Sequence, residues 1–130
     1  MTLNPESGDA PAAGKRILIV EDEAMIRMLL ADMLEELGYT ITAEAGRIDD
    51  ALAAATTLEF DLAILDVNLN GASIAPVAAA LTERGVPFVF ATGYGLSDLP
   101  EGFRDRPALR KPFQMVELRA TMDTALARGR

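Results

Sequence analysis

The chain has no cysteine and no histidine among its 130 residues. Without cysteine there is neither a disulfide framework nor a thiolate metal site, which fits a reducing compartment. Without histidine the commonest transition-metal ligand and general base is missing, so zinc chemistry and Ser-His catalysis are excluded. Positive charge is also scarce. Twelve Lys and Arg against 20 Asp and Glu leave a formal charge of −8, and no basic run is present to meet a phosphate backbone. A nucleic-acid partner therefore has no electrostatic support, and the partners expected are proteins, ions or small molecules. No apolar stretch approaches the roughly 20 residues needed to cross a bilayer. Nothing near the N-terminus resembles a secretory h-region. A soluble, cytoplasmic protein without a membrane partner is expected.

What the sequence does contain is apolar material for one core: 50% of the residues are hydrophobic, in a length that suits one domain. Residues 1–15 carry Pro5, Gly8, Pro11 and Gly14 among small and polar residues and read as a disordered tail. Residues 16–128 read as the folded domain. Arg16-Ile17-Leu18-Ile19-Val20 is a β-branched run of the kind found in strands buried on both faces, and it stops at Glu21-Asp22-Glu23. Ile26, Leu29, Leu30, Met33, Leu34 and Leu37 then recur at helical spacing, with Arg27, Asp32, Glu35 and Glu36 opposite them and Gly38 as a stop. The alternation repeats. Tyr39 to Ala45 reads as a strand, and Ile48, Ala51, Leu52, Ala55 and Leu58 form a helical stripe. Leu62-Ala63-Ile64-Leu65 is a strand ending in Asp66. A turn-rich Asn68-Leu69-Asn70-Gly71 leads to a third helix through Ile74, Val77, Ala78 and Leu81. Phe88 to Ala91 forms a fourth strand, Ala108 to Arg110 a short fifth, and Met115, Leu118, Met122, Ala125 and Leu126 a last helix. The stretch from Gly93 to Pro107 has no convincing stripe, so its helix is expected to be short, mobile or missing.

Strands alternating with helices predict an α/β fold, a doubly wound five-stranded parallel sheet with helices on both faces. Ligands of such sheets bind beyond the carboxyl ends of the strands. The polar residues fall at that end: Glu21 and Asp22 after the first strand, Asp66 ending the third, Thr92 after the fourth and Lys111 after the fifth. Three carboxylates without His or Cys call for a hard, oxygen-preferring cation, and Mg²⁺ suits such a site. A carboxylate can attack phosphorus to give an acyl phosphate if charge on the transferring oxygens is neutralised, here by Mg²⁺ and Lys111. The Thr92 hydroxyl could then report on a phosphoryl group at Asp66. Each residue also has a plainer reading. Glu21-Asp22-Glu23 would serve to cap and charge a helix, Asp66 and Thr92-Gly93 would serve as turn residues, and Lys111 as a surface charge. Their common position at one strand end favours the shared site.

These residues resemble the receiver domain of two-component response regulators. The likeness rests on Ile17-Leu18-Ile19-Val20-Glu21-Asp22-Glu23, Leu65-Asp66-Val67-Asn68-Leu69, Ala91-Thr92-Gly93 and Arg110-Lys111-Pro112-Phe113. It implies the flavodoxin-like strand order 2-1-3-4-5 and a Mg²⁺ site formed by Glu21, Asp22, Asp66 and the Asn68 backbone carbonyl. It also implies Asp66 as phosphoacceptor, Thr92 as switch hydroxyl, Lys111 as phosphate-pairing lysine and a cis bond before Pro112. The implied donor is a histidine kinase or a histidine phosphotransfer protein, and the domain catalyses only its own phosphorylation and dephosphorylation. Receivers usually carry an aromatic three residues before the lysine, where this chain has Ala108. Phe90-Ala91-Thr92-Gly93 followed by Tyr94 is similar to the FATGUY subgroup, which lacks that aromatic and is associated with bacterial stress signalling. Tyr94 is thus a second switch residue, expected to move as Thr92 turns toward Asp66. With no output module before Arg130, a monomer or weak dimer signalling through an unknown downstream protein is expected. Three rivals remain. A haloacid-dehalogenase-type phosphatase would want an Asp at Asn68, a flavin binder would want a phosphate-cradling loop where Glu21-Asp22-Glu23 stands, and a pseudo-receiver would bind partners without phosphorylation.

Overall fold

Three strands of the central sheet are apolar enough to be covered on both sides, and the computed structural model, which describes residues 14–128, buries them there. These are β1 (Arg16–Val20), β3 (Leu62–Asp66) and β6 (Phe88–Thr92). At the edges lie β2 (Thr40–Ala45), whose side chains alternate in exposure, and the three-residue β7 (Ala108–Arg110). All pair in parallel in the order β2-β1-β3-β6-β7. Counting these five strands alone, the order is the expected 2-1-3-4-5. The two remaining strands, β4 (Asn68–Leu69) and β5 (Ala72–Ser73), form a small antiparallel hairpin where a plain turn was expected. Its tip is Asn70-Gly71, both with positive φ (54° and 84°), which is the backbone an Asn-Gly pair accommodates.

Among the described residues, four helices cover the sheet: α1 (Ala24–Glu36), α2 (Ile48–Thr57), α3 (Ala75–Arg84) and α4 (Met115–Arg128). Strand alternation sorts the core into two layers. Ile17, Ile19, Leu62, Ile64, Val89 and Leu109 face α1 and α4. Leu18, Val20, Leu65, Phe88 and Phe90 face α2 and α3. Between β6 and β7 the chain makes only a 3₁₀ turn, Leu96–Asp98, as the missing stripe implied. Leu99 and Phe103 tuck that segment against Phe88 and Phe90.

The first helix departs from its sequence pattern. Its buried residues are Leu30, Ala31 and Leu34, whereas Leu29 faces solvent beside Met25 and Met28. Arg27 lies one turn before Ala31 on the inward side rather than on the outer face. Its side chain is only 25% exposed. A charge at that position breaks the apolar stripe, because the first inward turn of α1 faces a polar site and not the core.

Candidate functional site

Each strand end delivers its polar residue to the same edge. Continuing from β1, Glu21 donates its backbone N–H to the Ala45 carbonyl (2.9 Å) at the end of β2. Its carboxylate is 2% exposed; Oε1 lies 2.9 Å from Lys111 Nζ, and Oε2 accepts the Glu23 N–H at 3.1 Å. Asp66 places Oδ2 3.2 Å from the same Lys111 Nζ, while Oδ1 accepts a longer bond from the Asn68 N–H, 3.4 Å. Asp22 accepts the Asn70 N–H on Oδ2 at 2.9 Å. One carboxylate oxygen from each of Glu21, Asp22 and Asp66 lies within 4.8 Å of the others. Lys111 is fixed by its backbone N–H, which donates to the Thr92 carbonyl (2.9 Å), and the Lys111–Pro112 bond is cis.

Three carboxylates against one ammonium leave the site short of positive charge, and the acidities record it. Burial, with the Asp66 charge adding to it, pushes Glu21 up to about 7, even though Lys111 and the Glu23 N–H pull it down. Asp66 is also raised, chiefly by burial and further by Asp22, against the opposing pull of Lys111 and the Asn68 N–H. Asp22 is lowered instead: burial pushes it up, but hydrogen bonds led by the Asn70 N–H outweigh that. Lys111 is raised, because its two carboxylate partners outweigh its burial. The donor set contains oxygen alone, so it fits a hard divalent cation such as Mg²⁺ and would not select a softer metal.

The plainer readings fare unequally. Glu23 is the N-cap of α1 yet makes no side-chain cap bond, and no acidic residue lies in the helix's first turn, so the triplet does not cap. Lys111 is no free surface charge, being 21% exposed and paired twice. Asp66 does accept a bond from two residues on, as a turn residue would. That role coexists with its place in the cluster.

Thr92 is 1% exposed, and its hydroxyl faces the loop after β6. It accepts the N–H groups of Tyr94 (3.0 Å) and Gly95 (3.3 Å) and offers its proton to Asp98 Oδ2 at 3.3 Å, with the Gly95 carbonyl slightly farther at 3.5 Å. Tyr94 is joined to this network by its backbone, and the residue is 85% exposed. The Asn68 side chain accepts the Gly71 N–H at 2.8 Å and so braces the hairpin. Sequence reasoning missed Arg27, Gly46, Asn70 and Asp98. Only Asn70-Gly71 left a signal, as a turn pair.

Residues 17–123 match the response regulator receiver domain. The chain belongs to that family. Receiver domains are signalling modules of bacterial two-component systems, not an enzyme family, and as a general property they accept phosphoryl groups and bind Mg²⁺ at an acidic pocket. The transcriptional regulatory protein PdtaR of Mycobacterium tuberculosis is 39% identical over 94% of this chain, and the chain spans 62% of PdtaR's length. The solution structure of SdrG from Sphingomonas melonis Fr1 is 46% identical, covers 88% of this chain and 97% of SdrG, and superposes with a TM-score of 0.77. The BeF₃-activated conformation of SdrG superposes at 0.75, with 45% identity over 88% of this chain and 98% of that one. The PhyR receiver domain of Erythrobacter litoralis is 34% identical, covering 88% of this chain and 92% of its own, with a TM-score of 0.76. These receivers are what the chain is similar to, and they leave the phosphatase and flavin readings without support. Among the described residues no helix is long and apolar enough to cross a membrane.

Proposed function

We propose that this receiver accepts a phosphoryl group on Asp66 and passes the signal on through a protein partner. The observation that carries the reading is Lys111 Nζ, held between Glu21 and Asp66 at 2.9 and 3.2 Å inside a cluster of three carboxylates. In the transfer, an Asp66 oxygen forms a bond to phosphorus as the P–N bond of a phosphohistidine donor breaks, and the departing imidazole nitrogen is protonated. Mg²⁺ held by Glu21, Asp22, Asp66 and the Asn68 carbonyl would neutralise charge on the transferring oxygens. Lys111 is placed to turn from the Asp66 carboxylate to a phosphoryl oxygen without leaving Glu21. Glu21 and Asp22 also keep free phosphate away from the site until a cation compensates them.

The donor is a histidine kinase or a histidine phosphotransfer protein, and α1 offers it a surface: Met25, Met28 and Leu29 are exposed there, as is Val116 at the start of α4. Thr92 is the switch. Its hydroxyl turns from Asp98 toward the phosphoryl group and loosens the 3₁₀ turn, and Tyr94, already free of the core, moves with the loop. Output runs through an unknown downstream protein. A role in stress signalling, with membership of the FATGUY subgroup, is supported by the Phe90-Ala91-Thr92-Gly93-Tyr94 run and by the likeness to PhyR, one structure of which is described as a stress response regulator. The test is intact mass after incubation with acetyl phosphate and Mg²⁺. A phosphoryl adduct that disappears with EDTA and in Asp66→Asn is the expected result, and its absence from the wild type under all conditions would favour a pseudo-receiver.

A further inference from the structure

The loop that carries Glu21 and Asp22 is gripped by two residues that have no part in the chemistry above. Arg27 Nη1 donates to the Glu21 carbonyl at 2.7 Å, and its Nε lies 3.2 Å from Glu44 Oε1 on β2. Gly46, directly after β2, leaves room for that guanidinium: a Cβ there would stand 2.9 Å from Arg27 Nη1. The Gly46 carbonyl accepts Asn70 Nδ2 at 3.4 Å, and the Asn70 backbone N–H holds Asp22 Oδ2 at 2.9 Å. Gly46 thus makes room for the Arg27 guanidinium on one side and, through Asn70, is linked to the Asp22 carboxylate on the other.

We infer that Arg27 is a positioning residue for the cation site, holding the Glu21-Asp22 backbone between α1 and β2 while Asn70 clamps Asp22 from the hairpin. The inference rests on the reading of the carboxylate cluster as a Mg²⁺ site and adds the residues that hold it in shape. The length of the bond to the Glu21 carbonyl and the partial burial of Arg27 make it a fixed brace instead of a roaming surface charge. Its charge works against its role. A guanidinium near the carboxylates repels a divalent cation, so its removal would tighten Mg²⁺ binding if electrostatics were all that mattered. If positioning dominates, removal weakens binding. The two accounts differ in sign.

The experiment is calorimetric titration of Mg²⁺ into the wild type, Arg27→Gln and Gly46→Ala, each first shown folded by circular dichroism at the titration temperature. Gly46→Ala retains every charge and presses its Cβ on the Arg27 guanidinium, so it separates position from electrostatics even if Arg27→Gln does not fold. Expected are a Kd about tenfold weaker for Arg27→Gln and about threefold weaker for Gly46→Ala. Unchanged or tighter binding in the folded variants overturns the inference and leaves the Mg²⁺ reading intact. A wild type that takes up no Mg²⁺ removes the reading and the inference together.

Discussion

Strand β3 has an aspartate at each end, and the two meet opposite fates. Asp61, just before the strand, accepts the Arg16 backbone N–H at 2.7 Å and pairs with the Arg16 guanidinium at 3.3 Å. Burial pushes its pKa up, but those contacts win and hold the carboxyl below its ordinary range. Asp66, five residues on, has one shared lysine, a long hydrogen bond and two acidic neighbours, and it is shifted the other way. The amino edge of the sheet uses its carboxylate to stabilise the fold. The carboxyl edge gathers negative charge that the protein alone does not balance, and that imbalance is what a divalent cation would relieve.

The comparison breaks most sharply at Lys111. Lys111→Met is expected to slow acetyl-phosphate labelling about a hundredfold, the scale for losing one preorganised donor at a developing charge. Labelling rates from intact mass read this directly, and an unchanged rate would deny Lys111 any role in transfer. At the other end of the strand, Asp61→Asn is expected to leave labelling alone and cost about 1 kcal/mol in urea unfolding at neutral pH. The cost should depend on acid with a fixed sign. Because the folded-state value of Asp61 is depressed, its contribution is present above the ordinary Asp value near 3.8 and fades as pH falls through the lower folded value. Wild type and variant should therefore converge in stability toward strong acid. The smallest effect belongs to Asp98→Ala, which frees the Thr92 hydroxyl from its acceptor. Tightening of beryllofluoride binding by about threefold is expected, the size of one modest hydrogen bond. Weaker binding would mean that Asp98 does not hold the switch back.

How much of this the sequence discloses follows from the range of each interaction. The β–α alternation needs only local periodicity, and the strand order is what the receiver resemblance implies, so Glu21, Asp22, Asp66, Thr92 and Lys111 could be placed on one edge in advance. The hairpin could not, because two-residue strands have no period to detect. The charge of Arg27 points to the outer face although Leu30, Ala31 and Leu34, at helical spacing from it, lie inward, and only the fold shows that the first turn of α1 looks onto carbonyl and carboxylate groups. The Thr92 to Asp98 bond lies in the segment whose pattern is weakest, and its geometry comes from Leu99 and Phe103 anchoring the loop.

The central claim is that, of the two aspartates flanking the core of β3, Asp66 at its carboxyl end is the one that takes the phosphoryl group. Borohydride reduction of the labelled protein converts an acyl phosphate to homoserine, and fragmentation of the peptide spanning Leu62 to Asp66 and its flanks locates it. Homoserine at position 66, with Asp61 intact, is the predicted result. Homoserine at any other carboxylate, or none in a protein that carries the adduct, would contradict the account.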